Sequence, residues 1–120
     1  MTNALEITAH QIRDIINNPK PFLVFFKSEH CDYCKALEPV IGILNSRYGE
    51  LMGFYLLDVN DEKAAADVFE DYIEGVPSVI LFYKGNFAAL KEPDDPDPYM
   101  WYRLGYLEDF IKMFLRSGYE

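Results

Sequence analysis

The chain has 120 residues, of which 20 are Asp or Glu and 11 are Lys or Arg, for a formal net charge of -9. Such a charge repels phosphate backbones, which argues against a nucleic-acid partner, and no apolar run approaches the roughly 18 residues of a membrane span. Hydrophobic residues at 50% and aromatics at 16% suffice for the core of one domain, and this length predicts a single domain over residues 1–120. Met1–Glu6 shows neither the basic start nor the apolar run of a secretory leader, so a cytoplasmic location is expected. Thiols are kept reduced there, and a lone cysteine pair then reads as catalytic or metal-binding rather than as a structural staple.

Leu5–Ile7 reads as a short strand, followed by Thr8 as a helix N-cap with Gln11 at capping-box spacing and Ile12, Ile15 and Ile16 as the apolar face. Asn17–Pro21 stops that helix. Phe22–Phe26 is an uninterrupted apolar run, the pattern of a strand covered on both faces in a mainly parallel sheet. A polar loop leads to the two cysteines, after which Leu37, Val40, Ile41 and Leu44 fall at helical spacing. Pro39 inside that helix predicts a kink and Gly49 its end. Phe54–Leu57 is a further buried strand, Glu62–Asp71 a helix capped by Asn60 or Asp61, and Ser78–Tyr83 a strongly apolar strand before a turn at Lys84–Asn86. The acidic, proline-rich stretch Lys91–Pro98 is a loop. Met100–Leu104 is predicted as a short edge strand, and Leu107, Phe110, Ile111, Phe114 and Leu115 form the stripe of a closing helix. The order β-α-β-α-β-α-β-β-α predicts an α/β fold with about five strands in a central mixed sheet and four flanking helices.

The chemistry lies in Cys31–Asp32–Tyr33–Cys34, placed where a buried strand hands over to a helix. Helix N-termini present unsatisfied N–H groups and about half a positive charge, which favour a thiolate at Cys31, and the thiolate is the attacking species in disulfide exchange. Three residues on, close to one helical turn, Cys34 returns to the same face as the resolving thiol. Zinc or an iron–sulfur group is the rival occupant, but His30, Cys31 and Cys34 supply three donors where a closed site needs four. No cofactor or metal is expected. Gly75–Val76–Pro77–Ser78 precedes a strand, a position proline tolerates and one where its peptide bond can be cis.

Phe22–Phe26, Cys31–Cys34 with Lys35, Pro39, Gly75–Pro77 and Lys84–Gly85 follow, in order and approximate spacing, the pattern of the thioredoxin family, which the chain resembles over nearly its whole length. The resemblance implies the thioredoxin fold, with Cys31 as nucleophile and Cys34 as resolver. It also implies a cis Pro77 packed against the disulfide, and Val76 pairing through its backbone with a substrate segment. The departures are specific. His30 stands where the family has Trp, Asp32–Tyr33 where it has Gly–Pro, Phe25 where it has a buried Asp, and Leu56 at about the position of that acid's Lys partner. Tyr33 before Cys34 is similar to glutaredoxins. The proton relay assigned to the buried acid is therefore missing, and Glu38, four residues after Cys34, is the candidate to replace it. His30, Lys35 and Glu38 are the candidate modulators; a charged His30 stabilises the Cys31 thiolate, whereas Glu29 and Asp32 oppose it. The expected function is reduction of protein disulfides with electrons from a thioredoxin reductase or another thiol donor. The rivals are a glutathione-dependent, glutaredoxin-like enzyme and a redox-silent adaptor that docks a partner through the same groove.

Overall fold

The computed structural model describes residues 5–7, 11, 19–28, 31–58, 78–84, 86–90, 97 and 102–117. Strands β1 (Leu5–Glu6), β2 (Phe22–Lys27), β3 (Gly53–Asp58), β4 (Ser78–Tyr83) and β5 (Asn86–Ala89) form one mixed sheet in the order β1-β3-β2-β4-β5. Two helices are described, α1 (Asp32–Tyr48) and α2 (Leu104–Arg116), against the four expected. The helices expected over 8–16 and 62–71 lie outside the described residues, save for Gln11, which is helical.

The apolar run of β2 makes it the central strand, parallel to β3 and antiparallel to β4, with Leu23, Val24, Phe25 and Phe26 all fully buried. Side chains alternate along a strand, so register sorts them into two layers. Leu23 and Phe25 align with Phe54 and Leu56 of β3 and with Leu81 and Val79 of β4. This layer joins Leu37, Ile41 and Leu44 of α1 and Leu107 and Ile111 of α2 in one core. Each such side chain fully removed from water contributes about 1.5–3 kcal/mol. Val24, Phe26, Leu57 and Ile80 occupy the other layer and are also buried. There the Phe22 and Phe82 rings stack with centroids 5.0 Å apart. Helix α1 runs unbroken through Pro39, so the expected kink does not divide it.

The last strand departs from expectation. Tyr83 pairs with Asn86, so the chain reverses direction between them, with Lys84 at φ 51 in the left-handed conformation that tight hairpin turns use. The sheet therefore closes with β5 over Asn86–Ala89. In the stretch read as an edge strand, Tyr102 is buried at φ 45 and donates its hydroxyl to the Leu90 carbonyl at 3.2 Å, while Arg103 caps α2 and Leu104 is already helical. At Tyr102 the aromatic side chain serves burial at a helix entrance rather than strand pairing. Leu90 N–H donates to the Val79 carbonyl, and Ser78 pairs with Phe26 at the end of β2 that leads to the cysteines. The chain thus leaves β5 at the cysteine pole. The acidic stretch itself, Asp97 apart, lies outside the described residues.

Candidate active site

Strand β2 ends at Lys27, and Cys31 follows as the N-cap of α1 with φ -97 and ψ 102. The Cys31 N–H donates to the Ser28 carbonyl at 3.1 Å, and the Lys35 N–H donates back to the Cys31 carbonyl at 3.2 Å. In a helix the first N–H groups lack intrahelical partners. Here one of them is turned on the sulfur: Cys34 N–H donates to Cys31 Sγ at 3.1 Å. A donor aimed at sulfur, added to the positive end of the helix, favours negative charge on Cys31. The two cysteines are joined as a disulfide with Cα atoms 5.2 Å apart.

The pair is asymmetric. Cys31 is half-buried and reachable, whereas Cys34 is 1% exposed and belongs to the core with Leu37 and Ile41. Asp32 and Lys35 are exposed, and Tyr33 presents 37% of its surface beside the disulfide. His30, Val76 and Pro77 lie outside the described residues. Ser78, which follows Pro77 in the chain, pairs with Phe26 at the cysteine pole of the sheet. Phe25 and Leu56 are register partners on adjacent strands, 0% and 8% exposed, so both apolar replacements meet inside the core.

Glu38 is engaged. Its Oε1 accepts from Lys27 Nζ at 2.9 Å, and Lys27 also reaches Glu6 Oε2 at 3.5 Å. Burial works to lower the Lys27 pKa, but the hydrogen bond and charge of Glu38, joined by those of Glu6, outweigh it and hold the ammonium above the ordinary lysine value. Sequence reasoning missed Lys27. Its only mark was a charged residue closing an apolar run, and its partners come from two other elements. Among the described residues, no three His, Cys, Asp or Glu side chains are grouped to hold a metal.

The site is thus a bonded cysteine pair at a helix N-terminus, just beyond the end of the central strand of a mixed sheet. The thioredoxin family model matches residues 3–97, and the chain belongs to that family. It is 30% identical over 108 residues to the thioredoxin-like protein slr1139 of Synechocystis sp., covering 89% of this chain and 97% of that one. To the thiol:disulfide interchange protein TxlA homolog of Synechocystis sp. it is 29% identical over 65 residues, 54% of this chain and 36% of that protein. The chain spans about a third of the length of several curated relatives it matches. In fold it is similar to thioredoxin from Trypanosoma brucei brucei, with a TM-score of 0.75 at 13% identity over 96% of this chain and 93% of that one.

Proposed function

We propose that the chain reduces disulfides in protein substrates by dithiol exchange through its Cys-Asp-Tyr-Cys site. The observation that carries this reading is the unequal exposure of a bonded cysteine pair at a helix N-cap. The accessible Cys31, supplied with a hydrogen bond from Cys34 N–H, attacks a substrate disulfide as the thiolate. The buried Cys34 then displaces the substrate, regenerating the internal disulfide. Val76 and Pro77, immediately before Ser78, form the substrate groove in this reading, with the Val76–Pro77 bond cis. Lys35 and His30 tune the thiolate, and Glu38 takes part in its release chemistry. The enzyme acts in the cytoplasm as one domain over 1–120, needs no bound cofactor, and takes electrons from a thioredoxin reductase or another thiol donor.

Reduction of insulin disulfides, assayed with thioredoxin reductase and separately with glutathione, tests the reading. Turnover with thioredoxin reductase is expected. Turnover with glutathione alone would favour the glutaredoxin-like alternative, and no reduction with any thiol donor would leave the adaptor role.

A further inference from the structure

On the face of β2 that packs under α1, alternate residues read Leu23, Phe25, Lys27, so the first polar side chain on the way to the dithiol is a lysine. Its side chain is only 15% exposed, and two elements supply its partners: Glu38 of α1 at 2.9 Å and Glu6 of β1 at 3.5 Å. Asp58 is its register partner on β3. Glu38 follows Cys34 by four residues, one turn of α1, and the two side chains share a helix face. Asp32, two residues before Cys34, points to a different face and is exposed. Exposed Lys35, on the same helix, lies toward solvent.

The charges in this cluster are unequal. One ammonium contacts two carboxylates, so the trio carries a net charge of about minus one and becomes neutral on gaining a proton. A simple Lys–Glu pair would be neutral at the outset, and protonating its acid would strand a part-buried ammonium, which is costly. Here Lys27 keeps Glu6 when Glu38 is protonated. Lys27 holds Oε1 of Glu38, and Oε2 is open among the described residues. Cys34, buried in the core, needs such an acceptor because burial disfavours its thiolate.

We propose that Lys27 is a positioning residue for substrate release, holding the Glu38 carboxylate beside Cys34 as the acceptor of its proton, with Glu6 as the counter-ion that remains. The inference rests on the exchange reaction proposed above. In the mixed disulfide, Cys31 Sγ is bonded to a substrate sulfur and Cys34 is a thiol. Cys34 passes its proton to Glu38, and the thiolate attacks Cys31 Sγ. The Cys31–Cys34 bond forms as the Cys31–substrate bond breaks, and the electron pair of the broken bond leaves on the substrate sulfur. That thiolate takes up a proton, which Glu38 returns through solvent. The cysteine pair is oxidised by two electrons and the substrate disulfide is reduced by two.

Stopped-flow kinetics that separate attack from release test this with Glu38→Gln, Lys27→Gln, Lys27→Arg and the double variant Lys27→Gln/Glu38→Gln. Positioned proton transfer contributes roughly 10²-fold or more, so Glu38→Gln should slow release by about that factor while attack by Cys31 keeps its rate. Lys27→Gln should slow release by about tenfold, a part of the same contribution. Lys27→Arg should restore most of it, and the double variant should be no slower than Glu38→Gln alone. Glu38 is partly exposed and outside the core, so its variant keeps the test alive even if Lys27→Gln does not fold. Wild-type release in Glu38→Gln, or slowing by Lys27→Gln that adds fully to that of Glu38→Gln, overturns the inference. If Cys34→Ser forms no mixed disulfide with any substrate, the exchange reading itself fails and takes the inference with it.

Discussion

The two ends of α1 carry the same chemical device put to different work. Near its start, Glu38 takes the Lys27 ammonium at 2.9 Å, one turn from the buried Cys34. In its last turn, Arg47 gives Glu108 of α2 a hydrogen bond at 2.8 Å, and the Tyr48 hydroxyl donates to the same oxygen at 2.9 Å. At that distal end one carboxylate answers two donors, and the result is a clamp between two helices. At the cysteine pole one ammonium answers two carboxylates, and the result is a cluster with room for a proton. The ratio of donors to acceptors, rather than the presence of an ion pair, separates a structural clamp from a device that can take part in chemistry.

The largest expected effect comes from breaking the apolar floor beneath the cysteine pole. Phe25→Asp places a carboxylate at a fully buried position whose register partner is Leu56. An uncompensated buried charge costs about 3–5 kcal/mol, and denaturant unfolding should show a loss of that size. A loss within 1 kcal/mol or so of zero would mean that Lys27 can turn inward to pair with the new acid, and the contrast between a dry floor and a charged rim would fall.

A smaller effect sharpens the contrast through pH. The hydrogen bond from Arg47, then that from Tyr48, hold the Glu108 carboxyl below the ordinary range. A depressed acid contributes stability above its unfolded value, near 4.5, and loses it as pH falls through the folded one. The Lys27 ammonium is raised, so its contribution is complete below 10.5 and disappears as pH climbs past the folded value. Thermal unfolding of Glu108→Gln should therefore converge on wild type in acid, and that of Lys27→Gln in alkali. Convergence of both variants at the same end of the scale would contradict the assignment.

Much of this was legible in the chain. The unbroken apolar runs of β2 and β4 announced strands buried on both faces, and the position of Cys31 and Cys34 between strand and helix announced the site. β5 was not legible, because Asn86–Phe87–Ala88–Ala89 has little strand character of its own and pairs only because the turn at Lys84 folds it back onto β4. The burial of Tyr102, by contrast, disguised a helix entrance as a strand. Lys27 was hidden for a different reason. Its role depends on Glu6 and Glu38, separated from it in sequence and brought to it by sheet order and helix packing, and no local pattern encodes that meeting.

The central claim is that the accessible cysteine attacks and the buried one resolves. Mass spectrometry of mixed disulfides, after exposing Cys34→Ser and Cys31→Ser to the same disulfide-bonded protein substrate, addresses it directly. The account predicts abundant adducts on Cys31 in the Cys34→Ser variant and almost none on Cys34 in the Cys31→Ser variant, whose remaining thiol is 1% exposed. Equal trapping by the two variants would contradict it.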